Sequence, residues 1–444
     1  MRYNLMLAWH GLKRFPRSTI LAVLTVAMGL AATMTTLALL HQLTADPLPG
    51  RSGHLYLAWV DTVRAKPVAI QSANGINPSN YHRIKLDDAE ELLHEHRAMW
   101  QAAMTSVYTE LAADDGAHPH VKHAYLLATT AEFQPMLGVG LRSGRSWTAA
   151  EDAARVPVAV IDEALAVELF GSIQAVGREI KIGSHRFQVI GVSAPFSPQP
   201  HFYDLSAMTF SGSQRDRAFV PLRALLDAGI DLAGNDGCDE DAPKKRTMFG
   251  TDAAHCAAVS YWVDLPSKAQ ANAFGDYLQR YAANQKSLAG LGKAPRSELT
   301  GVGAWLSKQN VVPDNVRLNA WLAGSFLLLC MANVAGLLAA RFLRRGGEIG
   351  IRRALGAPRA AIFQQHVFEA SMICLIGGLL AWPLTLFGLW TLRLQDGGFT
   401  DLARLDPSMF GALLALAVAV GLLTGWLPAW RASRVEPGLQ VKSV

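Results

Sequence analysis

At 444 residues, with 50% of them hydrophobic and a mean hydropathy of +0.17, the chain is longer than one ordinary domain and too apolar for an ordinary soluble enzyme. Its formal charge of +5 is clustered beside apolar runs instead of forming a stripe interleaved with aromatics. That pattern argues for a membrane surface and against a nucleic-acid partner.

In residues 1–18, Leu5, Ala8, Trp9, Leu12 and Phe15 fall near one face at helical spacing, and Lys13, Arg14 and Arg17 follow. The segment reads as a cytoplasmic amphipathic helix lying in the headgroup layer. Residues 19–43 are the first membrane helix: Thr19 to Leu40 carries no charge and is long enough to cross ~30 Å of hydrocarbon at ~1.5 Å per residue. Because no A-x-A-like site follows in the right place, the segment is expected to be an uncleaved anchor and not a signal peptide.

Residues 44–317 form a long polar region with α+β character. His54 to Asp61, Val156 to Asp162, Phe187 to Ala194, Ala218 to Leu222 and Ser260 to Leu265 read as strands. Asp87 to Trp100, Asp162 to Gly171 and Pro266 to Gln285 read as helices, the last capped by Ser267. Ala228 to His255, rich in Gly, Asp and Lys, reads as an inserted loop or small lobe.

Three more spanning segments follow at 318–340, 370–392 and 408–430, separated by a basic segment at 341–369 and a short loop at 393–407, with a tail at 431–444. Arg341 to Ala370 carries six arginines against two glutamates. The short loop has Arg393 and Arg404 against Asp396, Asp401 and Asp406. Lysine and arginine placement therefore puts both termini and the basic segment in the cytoplasm and the large domain on the opposite side. Within the basic segment, Glu348 to Leu355 has helical periodicity, Gly356 and Pro358 break it, and a helix resumes at Ala360.

Catalytic signatures are lacking. Gly290-Leu291-Gly292-Lys293 has neither the spacing nor the hydroxyl of a phosphate-binding loop, and there is no G-x-S-x-G, H-E-x-x-H or paired C-x-x-C. His118, His120 and His123 read as a polar loop before a metal site, and Asp236, Asp239, Glu240 and Asp241 as a charged loop before a calcium site. The expectation is a non-enzyme with no cofactor of its own.

Cys330 and Cys374 fall in apolar segments as small core residues. Cys238 and Cys256 fall where a disulfide can persist, but no spacing rule fixes pairing, so the bonded and free forms both stay open. Gly421 and Gly425 make a G-x-x-x-G, and Ala332, Gly336 and Ala340 a small-residue row; either suits close helix packing within the chain or across a dimer. Asn333 is expected in a helix-to-helix hydrogen bond and Pro383 at a bend.

The run from Cys330 to Ile362 resembles the membrane core of MacB/FtsX-type ABC transporter permeases, whose E-I-G-I-R-x-A-L-G-A motif is filled by Glu348, Ile349, Gly350, Ile351, Arg352, Ala354, Leu355, Gly356 and Ala357. Leu137 to Asp152, Val158 to Gly171 and Val176 to Val192 are similar to that family's periplasmic domain, and Pro428 to Gly438 to its C-terminal end. Gly346 and Gly347 depart from its polar or basic residues before the glutamate, and Gly336 from a common asparagine.

The resemblance implies an α-helical membrane protein with four transmembrane helices and a large periplasmic α+β domain between helices 1 and 2, in the bacterial inner membrane. It implies a permease subunit that dimerises with itself or with a paralogous permease and receives work from a separate ABC ATPase holding ATP-Mg. A periplasmic adaptor and an outer-membrane channel are further candidate partners. Glu348, Gly350, Arg352, Arg353, Gly356 and Arg359 are the implied coupling residues. Export or expulsion of a substrate by mechanotransmission is the leading expectation; the alternative is a non-transporting transmitter that activates a periplasmic cell-wall hydrolase or a sensor kinase.

Overall fold

A computed structural model describes residues 15–63, 82–113, 121–205, 216–230, 232, 237–239, 255–289, 296–309, 314–394 and 407–433. The chain divides into two compact units, Ala45–Val311 and the combination of Met1–Thr44 with Val312–Val444. The expected amphipathic helix, the short loop between the last two spans and the tail lie outside the described residues, apart from a few at their edges.

In chain order the elements are α1 (Pro16–Thr44), β1 (Leu55–Val60), β2 (Ile84–Lys85), α2 (Leu86–Glu95), β3 (Trp100–Ala113), β4 (Val121–Thr129), α3 (Phe133–Leu137), β5 (Leu141–Gly144), α4 (Ala149–Ala153), β6 (Val158–Asp162), α5 (Glu163–Phe170), β7 (Glu179–Ile182) and β8 (His185–Ser193). These are followed by β9 (Asp216–Pro221), α6 (Leu222–Asp227), β10 (Ala257–Asp264), α7 (Lys268–Ala289), β11 (Ser297–Gly301), α8 (Val302–Lys308), α9 (Asp314–Arg344), α10 (Gly346–Ala354), α11 (Arg359–Leu394) and α12 (Pro407–Ser433).

The Ala45–Val311 unit is built on one 11-stranded mixed sheet among the described residues, in the order β11-β1-β10-β3-β4-β9-β6-β8-β5 with β2 and β7 at the side. Pairing is antiparallel except for β4 with β9 and β6 with β8. β6 is buried at every position and β10 at all but its last, so these strands read as continuous apolar runs covered on both faces. On one face, Tyr261 of β10 joins a core with Leu86 and Leu92 of α2 and Phe274 and Leu278 of α7. α2 and α7 are also tied by polar contacts, since Tyr281 Oη donates to Asp88 at 2.9 Å and to Glu91 at 2.8 Å.

Trp262, the next residue along β10, packs edge-on against Phe202, as side-chain alternation in a strand requires. There the segment His201 to Leu205 is pinned by buried polar groups. The indoles of Trp262 and Trp305 donate to the carbonyls of Tyr203 and Phe202 at 3.0 and 3.1 Å. Arg83 and Asp204, each 1% exposed, pair at 2.9 Å, and Asp204 also accepts the backbone N–H of Ser106 at 2.6 Å. Asp216 accepts Tyr203 Oη at 2.8 Å and faces His201 Nε2 at 2.9 Å.

Two sequence expectations need correction. The helix expected over Asp87 to Trp100 ends at Glu95, because His96 turns into the left-handed region at φ 45°, and Trp100 opens β3 instead. β3 and β4, the long hairpin at the centre of the sheet, were not anticipated at all. The Ser267 cap is present, since Ser267 and Gln270 form a reciprocal pair at the start of α7; at the start of α5, Asp162 accepts the N–H of Leu165 as a cap the sequence reading did not name.

Cys238 and Cys256 are joined by a disulfide and face each other in an isolated antiparallel bridge. Beside it Asp239, from the acidic group read as a loop, pairs with Lys85 at 3.2 Å, while Asp236, Glu240 and Asp241 lie outside the described residues. The bond closes a separation of 18 residues, for which loop-closure entropy is worth about 3 kcal/mol. Cys238→Ser is therefore expected to lower the unfolding midpoint of the full chain in oxidising buffer and to leave it unchanged in reducing buffer, as thermal melts with and without dithiothreitol would read.

Four described helices are long and apolar enough to cross a membrane: Pro16–His41, Val316–Arg344, Arg359–Thr391 and Met409–Arg431. Their mutual core contains Val26, Leu30, Val334, Leu338, Cys374 and Ala417. Each helix runs past its uncharged stretch, because a helix carries its own backbone hydrogen bonds and need not stop where charges begin.

Candidate coupling site on the membrane unit

A single residue, Arg345, separates α9 from α10, and Gly346 and Gly347 begin α10. α10 ends in a Schellman motif: the N–H of Gly356 donates to the carbonyl of Arg353 at 3.1 Å, and that of Ala357 to Arg352 at 3.0 Å. This closure needs φ of +93° at Gly356, a region side-chain-bearing residues enter at a cost of roughly 1–2 kcal/mol. Pro358 then initiates α11, its carbonyl accepting the N–H of Ala361 at 3.0 Å.

α10 has two apolar faces. Ile349 is buried in the membrane-unit core, with Gly350 buried beside it. Ile351 and Leu355, spaced i and i+4, point the other way and are 59% and 83% exposed. Exposed Arg344 and Arg359 flank them in sequence. Ile351 and Leu355 together make a small exposed apolar surface with basic residues on either side in sequence.

Just before α10 in the chain lies a buried ionic node. Arg341, 4% exposed, donates through Nη1 to Glu369 at 3.0 Å, and Glu369 is 1% exposed. Nη2 of Arg341 donates to Ser18 Oγ at 2.8 Å and to Thr19 Oγ1 at 2.7 Å. Arg345 reaches the second Glu369 oxygen at 3.3 Å and lies over the Phe15 ring, its guanidinium carbon 5.3 Å from the centroid. Phe342 stacks edge-on against His366 at 4.0 Å, and Arg352 donates to Gln365 at 3.1 Å. The node thus binds the start of α1, the end of α9 and the first turns of α11, with Arg345 as its link to the start of α10.

Of the residues singled out by sequence, Arg352 is half-buried and engaged with Gln365, Arg353 is half-buried, Arg359 is exposed, and only the backbone of Glu348 is described. Arg341, Arg345, Glu369, Ser18 and Thr19 were missed. Their one visible signal was Glu369, an acid beside the uncharged third span.

The two small-residue patterns separate cleanly. Gly421 and Gly425 bring α12 against α11: a Cβ at Gly421 would lie 2.8 Å from Ser371 Cα, and one at Gly425 2.6 Å from Ala370 Cβ. Ala332, Gly336 and Ala340 are exposed, with nothing within 4 Å of a Cβ at Gly336. Asn333 shares their outward face, so a helix-to-helix hydrogen bond from it would have to reach a helix outside this chain. α11 runs through Pro383 as one helix. His123 is exposed on β4 beside Tyr108, while His118 and His120 lie outside the described residues.

Two family profiles match the chain: the MacB-like periplasmic core domain over residues 19–281 and the FtsX-like permease C-terminal region over residues 321–437. The pyoverdine export ATP-binding/permease protein PvdT of Pseudomonas aeruginosa is 26% identical over 318 residues, 71% of this chain and 42% of that protein. The macrolide export ATP-binding/permease protein MacB of Shigella boydii is 38% identical over 106 residues, 23% of this chain and 16% of that protein. The chain thus spans less than half the length of these curated relatives. The crystal structure of the periplasmic region of MacB from Actinobacillus actinomycetemcomitans aligns at 14% identity with a TM-score of 0.37, covering 59% of this chain and 96% of that one.

Proposed function

Because this chain belongs to the family of MacB/FtsX-type ABC transporter permeases, we propose that it is the membrane-spanning half of an ATP-driven machine that exports or expels a substrate on the periplasmic side of the inner membrane. In this reading an ABC ATPase carrying ATP-Mg docks on the outward face of α10. Its movement is passed through the Arg341–Glu369 node to α1, α9 and α11, and from there to the large domain. A second permease, identical or paralogous, completes the transporter, and a periplasmic adaptor with an outer-membrane channel extends it. Both termini lie in the cytoplasm.

The observation that carries the reading is the double character of α10, apolar toward solvent at Ile351 and Leu355 and preceded directly by Arg345, which belongs to a node joining three spanning helices. The Cys238–Cys256 disulfide supports a large domain outside the reducing cytoplasm.

Burying one leucine is worth about 1.5–3 kcal/mol. Leu355→Asp is therefore expected to weaken co-purification with the partner ATPase by roughly 10–100-fold and to remove permease-dependent stimulation of ATP turnover. Glu348→Ala and Arg352→Ala test two further positions of the same helix. Undiminished binding and turnover in all three variants would refute the docking surface. Loss of turnover without any change in substrate efflux would point to the signal-transmitting role instead.

A further inference from the structure

A cleft of about 530 Å³ opens among α2, α4 and α6 on the Ala45–Val311 unit. Leu86, Leu93 and Leu222 supply apolar wall, and most of the charge around it is already matched. Arg223 forms a two-pronged pair with Glu90, and Arg155 reaches Asp227 at 3.2 Å. His96 meets one oxygen of Glu132 at 2.8 Å, and the other oxygen accepts the backbone N–H of Gln101 at 2.9 Å.

Asp152 is different. Its carboxylate accepts the backbone N–H of Ala131 at 2.9 Å, and no lysine, arginine or histidine among the described residues pairs with it. Burial pushes this carboxyl up to about 6; the Ala131 N–H draws it back, the nearby Glu90 charge adds to the rise, and the Trp147 indole draws it down slightly. When ionised, Asp152 is thus a negative charge without a cationic partner of its own beside apolar wall, whereas the neighbouring acid Glu90 is held by Arg223. Such a site repels anions and rewards a cation that brings its own apolar surface.

We propose that this cleft binds an organic amine with an apolar body, its ammonium against the Asp152 carboxylate and its body on Leu86, Leu93 and Leu222. The inference does not depend on whether the chain exports or signals. The competing account makes Asp152 a purely structural tie between α4 and the turn after β4. The two separate on Asp152→Asn, which keeps an oxygen to accept the Ala131 N–H and removes the charge.

The full chain in lipid nanodiscs is titrated calorimetrically at neutral pH with naphthylethylamine, naphthylethanol and naphthylacetate, with empty nanodiscs subtracted. The amine is expected to bind saturably and at least roughly 10-fold more tightly than the alcohol or the acid, as a charge-assisted hydrogen bond predicts. Asp152→Asn should bring the amine down to the alcohol's affinity while leaving the thermal midpoint in place. Ala153→Trp, at an exposed lining position, should block the amine in a folded chain. Equal binding of amine and alcohol, no signal above empty nanodiscs, or an Asp152→Asn chain that still prefers the amine would each overturn the proposal. A lowered midpoint with the preference for amine intact would assign Asp152 to structure alone.

Discussion

Glu369→Ala is expected to destabilise the purified chain by about 3–5 kcal/mol, the cost of leaving a buried charge without its partner. Arg341 has almost no solvent to turn to, and its second nitrogen is already committed to Ser18 and Thr19. Arg345 would lose the same carboxylate. Thermal unfolding in detergent reads the loss directly, and an unchanged midpoint would show that the node contributes nothing to the fold.

The informative companion is the double replacement Arg341→Met with Glu369→Leu. Well-packed apolar residues commonly match or exceed a buried ion pair in stability, so the midpoint should return part of the way toward wild type, the remainder being the loss of the Glu369 carboxylate by Arg345. The hydrogen bonds to Ser18 and Thr19 do not return. If the node transmits movement, the double variant should bind its ATPase normally and fail to stimulate it. Restored stability together with restored turnover would reduce the node to a packing element.

Gly425→Val is expected to force α12 away from α11. A Cβ there would sit 2.6 Å from Ala370 Cβ, well inside contact distance, and the two further methyls of valine make the clash worse. Overpacking of this kind costs roughly 1–3 kcal/mol, and Gly421→Val should cost a similar amount against the Ser371 backbone. Gly336→Val is the matched control, since the space around it is open within the chain. Thermal midpoints of the three variants test this ranking. A Gly336 variant as damaged as Gly425 would mean that another surface covers α9.

The membrane part of this architecture was legible because its physics is local. Uncharged runs of spanning length identify helices wherever they occur, and the Gly356-Pro358 break announces the turn after α10 without tertiary information. The central hairpin of the soluble unit was not legible for the opposite reason. Asp87 to Trp100 looks helical throughout, and only pairing of Trp100 to Met104 with β10 converts its end into a strand. The ionic node lay further out of reach. Arg341 and Glu369 are 28 positions apart, and Arg341 is 322 from Thr19, so nothing short of helix packing brings them together. The two small-residue patterns looked equivalent as letters, and the placement of neighbouring helices alone set them apart.

The length of α11 has a mechanical corollary. Its 36 residues extend for about 54 Å at ~1.5 Å per residue, whereas a bilayer core takes up only ~30 Å. Gln365, His366 and Glu369 lie toward its Arg359 end, so the groups of the node grip one end of a helix longer than the bilayer core is thick. Pivoted at its middle, a rod of that length moves each end by roughly 2 Å for a tilt of about 5°. If the chain works by passing movement across the membrane, a small rotation imposed at one end of this helix would reach the other as a displacement of atomic size in the opposite direction.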